Sequence, residues 1–181
     1  MDANTGILYG SDLVTDQLVR INPIDGDADP IGELGVNFPS VAGLAFDPIT
    51  NTLYASSNLD AANLYTVNTN TGFATLVAPL GLNMPSLAYV PSETTLYGAS
   101  GQTDSLYKIN VNTGELILVG PLGVGISYNG LAYLAETDTL YMSWRSGRKL
   151  YAIDRNTGAA TELGDFEFSG VNGLAADNLN P

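Results

Sequence analysis

The sequence predicts an all-β repeat domain, and three observations carry the prediction. A segment closing on a turn glycine occurs at residues 18–26, 64–72, 106–114 and 150–158. Its last three copies read Leu-Tyr to Asn-Thr-Gly, and the terminal glycines lie 46, 42 and 44 residues apart. A separate segment recurs as Leu8-Tyr9, Leu53-Tyr54, Leu96-Tyr97 and Leu140-Tyr141. A small-residue apolar segment recurs as Gly43-Leu44-Ala45-Phe46, Ser86-Leu87-Ala88-Tyr89, Gly130-Leu131-Ala132-Tyr133 and Gly173-Leu174-Ala175-Ala176. Ten residues separate the start of each of the first three from the next Leu-Tyr. No window sustains a helical period, so helix is expected to be close to absent.

Each repeat is expected to hold four strands, A to D. Strand A is the small apolar segment, starting near residues 41, 84, 128 and 171. Strand B carries the first Leu-Tyr, as in Thr95-Leu96-Tyr97-Gly98-Ala99-Ser100. Strand C alternates: Tyr107 and Ile109 share one face and Lys108 takes the other. Strand D is Leu116-Ile117-Leu118-Val119, with Leu76-Val77 and Glu162-Leu163 in the equivalent places. Turn-rich links such as Asp47-Pro48-Ile49-Thr50-Asn51 and Pro91-Ser92-Glu93-Thr94 join A to B. Asn-Thr-Gly supplies a glycine that takes positive φ in the C-to-D hairpin, and the Asn or Asp before it is placed to bond the local backbone.

A four-stranded antiparallel unit of about 43 residues, repeated, is the pattern of β-propeller blades. Strand A is expected innermost, where blades converge and only Gly, Ala and Ser fit easily. Leu and Tyr on B and C then fill the gaps between blades, and no blade is stable alone. The expected fold is one domain over 1–181 with four four-stranded blades. The chain starts in the lead-in to a strand B and stops after a strand A, so the strand near 171 is expected to complete the blade begun at 7. That closure removes an open edge. Closure within one chain gives a monomeric four-bladed ring, and closure between two gives an eight-bladed homodimer. A piece of a longer propeller is the third possibility.

Composition excludes several chemistries. The chain has 181 residues, 45% of them apolar, and neither cysteine nor histidine. Zinc-thiolate sites, cysteine nucleophiles and histidine general bases are therefore ruled out. Nineteen acids against six bases give a net charge of −13, which disfavours nucleic acid and anionic membrane partners. No apolar run approaches the roughly 18 residues of a membrane span. Met1-Asp2-Ala3-Asn4 lacks the basic start and apolar run of a signal peptide.

At the residues quoted above the chain resembles bacterial β-propeller repeats of the broad YVTN, PQQ-like and gluconolactonase-like kind, in which GLAxxPxTxxLY and LYxIDxxTG patterns are widespread. The resemblance spans Gly6 to Asp177. It implies a propeller and an extracytoplasmic or secreted home, and it leaves activity open. In the gluconolactonase-like members, an Asn-Gly-Leu-Ala points its asparagine into the axial channel and helps hold a divalent cation. Asn129 and Asn172 match that motif here, whereas Ala42 and Pro85 stand in the other repeats. Calcium is the cofactor this would imply. A hard cation wants six or more oxygens, carboxylates among them, and no matching carboxylate is present.

Two further stretches invite a functional reading. Residues 25–29 (Asp-Gly-Asp-Ala-Asp) fail as an EF-hand, because Pro30 and Val36 stand where Gly and Glu are required, and read instead as an acidic rim hairpin. Trp144, Arg145 and Arg148 lie in a B-to-C loop that, with Lys149, holds three of the six bases. Tryptophan beside arginine stacks on a sugar ring or grips a carboxylate, and the competing reading is a tryptophan filling the gap between blades. The sequence therefore favours a non-catalytic module for a protein or carbohydrate ligand over a metal-dependent lactonase-like hydrolase.

Overall fold

The alternating apolar segments fold as fifteen strands in a computed structural model that describes residues 1–2, 4–12, 14–36, 43–57, 62–127, 129–168, 171 and 173–176. The first blade is β1 (Leu8–Asp12), β2 (Gln17–Ile21) and β3 (Ala28–Glu33). The second is β4 (Gly43–Asp47), β5 (Thr52–Ser56), β6 (Asn63–Val67) and β7 (Ala74–Pro79). The third is β8 (Ser86–Val90), β9 (Thr95–Ser100), β10 (Ser105–Ile109) and β11 (Leu116–Pro121). The fourth is β12 (Asn129–Leu134), β13 (Thr139–Trp144), β14 (Lys149–Ile153) and β15 (Ala160–Asp165). Each strand pairs antiparallel with its sequence neighbour inside its own sheet. The inner strands β4, β8 and β12 pack side by side, so the molecule is a four-bladed β-propeller. Among the described residues, helix is confined to two short 3-10 turns, Pro91–Glu93 and Ala135–Thr137, both in A-to-B links.

The sequence pattern sets the local geometry. In each C-to-D hairpin an Asx side chain caps the turn: Asn68 Oδ1 accepts from the Asn70 amide at 2.9 Å, and Asp154 Oδ1 from the Asn156 amide at 2.7 Å. Gly72 and Gly158 then take φ of 81° and 82°, where a side chain would be strained. A β-bulge follows the first apolar residue of every strand C, after Leu18, Leu64, Leu106 and Leu150. The bulge adds twist and lets the outer strand swing away from the axis.

Burial follows the same repeat. Leu64, Leu96, Tyr107 and Ile109 meet between blades two and three, and Tyr97, Leu106, Leu140 and Tyr151 between blades three and four. Leu18, Leu53, Tyr65 and Val67 meet between blades one and two. Each fully buried Leu contributes about 1.5–3 kcal/mol, so the blade-to-blade gaps hold most of the stabilising surface.

The blade expected to join both chain ends departs from expectation. Among the described residues, the segment near 171 does not ladder onto β1: the first blade has three strands, and residues 173–176 carry no strand pairing. The segment does lie at the inner position. A Cβ on Gly130 would press on Gly173 and Leu174, as one on Gly43 would press on Ser86 and Leu87. Two features explain the missing ladder. Ala176 replaces the ring of Phe46, Tyr89 and Tyr133, so the strand has less to bury. Met1 also competes for the place, standing seven residues before Leu8 as Phe46 stands seven before Leu53. Asp2 continues the match: its carboxylate accepts from the Asn4 amide and the Thr5 hydroxyl, as that of Asp47 accepts from the Ile49 amide and the Thr50 hydroxyl.

Candidate functional site

Inner strands built from small residues leave a narrow space where they converge. Residues 44–46, 87–89, 131–133 and 174–176, with Met1, surround an axial cavity of about 50 Å³. Its two ends differ in chemistry.

At the end where the inner strands begin, the polar groups face one another. Asn129 is fully buried, and its Oδ1 accepts from the Ser86 hydroxyl at 2.7 Å. Its amide nitrogen lies 4.0 Å from the Met142 sulfur. Ser143 Oγ accepts from the Gly130 amide at 3.2 Å, and Ser56 donates to the Met84 carbonyl at 2.5 Å. These bonds satisfy buried polar atoms and tie neighbouring blades together. Asn129 is thus a blade-to-blade link in this structure. Asn172, its sequence counterpart, lies outside the described residues. Among the described residues no three His, Cys, Asp or Glu side chains gather in a group able to hold a metal.

At the other end, the A-to-B links carry an acid–tyrosine collar. Arg155 of the fourth blade lies 2.8 Å from Glu93 of the third and 2.7 Å from Asp138 of its own. Its guanidinium also covers the Tyr133 ring. Tyr97 donates to Glu93 at 2.5 Å and Tyr133 to Asp138 at 2.8 Å. Lys108 stands 3.7 Å from Glu93, over the Tyr97 ring. Burial, then the bond to Glu93, holds the Tyr97 hydroxyl well above the usual tyrosine range. Burial, then the Asp47 carboxylate, pushes Tyr89 up to about 12. The Tyr133 bond, then Arg155, holds Asp138 below the usual carboxylate range. These tyrosines keep their protons at neutral pH and Asp138 stays ionised. None is poised to exchange a proton there, so the collar works as an electrostatic clamp between blades. Sequence reasoning missed it. Its one signal was that Arg155 is the only base at its position in the four C-to-D hairpins.

The remaining candidates lie at the end of β13, where Trp144 is the last strand residue rather than part of the loop, and in the loop that follows. Trp144 packs against the core between blades three and four, and Gly147 sits on its ring so closely that a Cβ there would overlap the indole. Its indole nitrogen is buried with no hydrogen-bond partner. Arg145 and Arg148 are exposed. Lys149 is held by Glu162 and Asp165 of β15. The structure therefore separates the trio: the arginines face solvent, and the tryptophan is largely covered. The acidic 25–29 hairpin is exposed between β2 and β3, with Asn22 donating to Asp25 at 2.8 Å.

Comparison with known families adds a second level of repetition. The family described as Domain of unknown function (DUF4394) matches twice, over residues 1–88 and 85–175. The chain belongs to the DUF4394 family. The two matches divide the DUF4394 chain into pairs of blades, with the boundary at the start of β8. Comparison with curated proteins finds no match. Among solved structures, the DUF4394 fold is similar to a structural genomics protein of unknown function from Bacteroides thetaiotaomicron VPI-5482. The TM-score is 0.65 at 17% identity, over 86% of this chain and 40% of that one. It is also similar to a chain of a nidogen/laminin complex, with a TM-score of 0.68 at 15% identity over 97% of this chain and 65% of that one. The DUF4394 chain thus spans less than two thirds of either structure, and at these identities the likeness shows the fold alone.

Proposed function

We propose that this chain is a non-catalytic propeller that serves as a binding module for a protein or carbohydrate ligand bearing carboxylates. The observation that carries the reading is the exposure of Arg145 and Arg148 on one loop of a chain with net charge −13. A positive spot on an acidic molecule attracts an anionic group, and guanidinium binds carboxylate through two parallel bonds. Trp144 stiffens the base of the loop from below. On this reading the blades are kin to the YVTN, PQQ-like and gluconolactonase-like repeats, and the module works outside the cytoplasm.

The test is a panel of acidic peptides and uronate-bearing oligosaccharides, with affinities measured by calorimetry. For any ligand bound, Arg145→Ala with Arg148→Ala is expected to weaken binding tenfold or more, about 1.4 kcal/mol. Affinity that the double substitution leaves untouched removes the loop from the account.

A further inference from the structure

Among the described residues, three of the four blade-to-blade seams repeat one contact, and the fourth lacks it. Gly32 of the first blade lies so close to the Thr71 carbonyl of the second that no side chain fits between them. Gly120 of the third meets the Thr157 carbonyl of the fourth in the same way. Between the second and third blades, Ala78 faces Gly114. Backbone bonds from Ala74 to the Leu34 carbonyl and from Ala160 to the Leu122 carbonyl, each 2.9 Å, reinforce the first and third of these seams. The equivalent pair between the fourth blade and the first is Gly164 and Gly26. A Cβ on either would meet nothing within 4 Å.

The side chains tell the same story. Leu18, Leu64 and Leu106 are fully buried, whereas their counterpart Leu150 is only partly so. Leu53, Leu96 and Leu140 are buried, and Leu8 is partly exposed. Ile31, Val77 and Val119 each pack on the next blade, but Leu163 in that position is 53% exposed. Gly26, on the hairpin that would face Leu163, is exposed, whereas its counterparts Gly72, Gly114 and Gly158 are buried. Beside β1, where the other blades carry a laddered inner strand, a cavity of about 420 Å³ separates β1 from residues 173–175.

We infer that this open seam is a docking surface for a second copy of the chain. Its two faces are the halves of an interface the chain already makes three times, so the fourth blade of one copy fits the first blade of another. Two copies joined this way, each with its four blades opened from a closed circle into an arc, bury both open faces and leave no free seam, closing an eight-bladed ring with two-fold symmetry. Residues 173–175, which line the slot beside β1 of their own chain in the single copy, then exchange into the slot of the other. Charge opposes the contact, because Glu162 and Asp165 on one half meet Asp25, Asp27 and Asp29 on the other. Association therefore strengthens as salt screens them. This inference is independent of which ligand the loop takes.

Light scattering on the eluting protein tests it, over a range of concentration and salt. The expected mass is twice the 19.0 kDa of the chain, with the dimer favoured at higher salt. Leu163→Asp and Gly164→Val, each alone, are expected to raise the dissociation constant on the order of tenfold or more while leaving the circular dichroism unchanged. Ile117→Asp, equally exposed but on the third blade, is expected to leave it unchanged. A monomer at every concentration and salt overturns the inference. So does a dimer indifferent to Leu163→Asp and Gly164→Val, or a ladder of larger species that does not close.

Discussion

Arg155 and Glu93, on facing edges of the fourth and third blades, form a 2.8 Å ion pair in which the arginine side chain is only 14% exposed. The same guanidinium reaches Asp138 through its other nitrogen. One planar group thus bridges two carboxylates from different repeats, a geometry that an ammonium reproduces poorly. Arg155→Ala is expected to lower stability by about 1–3 kcal/mol, because it removes charged bonds and leaves two carboxylates adjacent. Arg155→Lys is expected to recover less than half of that. Urea unfolding of the three proteins gives the comparison, and equal stability of wild type and Arg155→Ala contradicts the clamp.

The collar also fixes the response to alkaline pH. Burial and the Asp47 carboxylate raise Tyr89 from 10.0 to about 12, and burial with Glu93 raises Tyr97 further. In the unfolded chain these hydroxyls ionise near the ordinary value, while the folded chain holds their protons. Their contribution is therefore complete below about pH 10 and is lost as pH rises towards about 12. Unfolding midpoints measured across this window are expected to fall, and to fall less in Tyr89→Phe. A flat profile from neutrality to pH 12 excludes the assignment.

The blades were readable in the sequence because their signal is local and repeated. Leu-Tyr alternation, Asn-Thr-Gly hairpins and Gly-Leu-Ala inner strands each specify a short element, and β4, β5 and β6 fall where those words stand. What joins blades was less readable. Arg155 and Glu93 are 62 residues apart, and no periodicity marks a contact made once. Ser86 and Asn129 meet only because successive inner strands lie side by side. The last inner strand misled for a physical reason: residues 173–176 share the Gly-Leu-Ala motif but lack the ring that anchors its other copies.

Asn129 supports a prediction about metal. Its side-chain oxygen already accepts from Ser86 at 2.7 Å in a fully buried position. Ser86→Ala and Asn129→Ala are each expected to cost about 1–3 kcal/mol by orphaning a buried partner, and the double variant less than the sum. Calcium followed by chelator is expected to leave the melting temperature of the wild type unmoved. A reversible rise of several degrees with calcium, lost in Asn129→Ala, reinstates a cation at this end of the channel.

Glycine substitutions separate closed seams from the open one. At Gly120 an added methyl overlaps the Thr157 carbonyl, which belongs to backbone and cannot rotate away. Gly120→Ala must therefore push the third and fourth blades apart, and overpacking of this sort costs about 1–3 kcal/mol. At Gly164 the same methyl meets open space. Gly164→Ala is expected to leave the stability of the dilute chain within about 0.5 kcal/mol of wild type, as ordinary surface changes do. Thermal unfolding of both at low protein concentration gives the contrast. A large loss at Gly164 under those conditions means that the fourth seam closes within a single chain, on the same carbonyl contact that Gly120 makes.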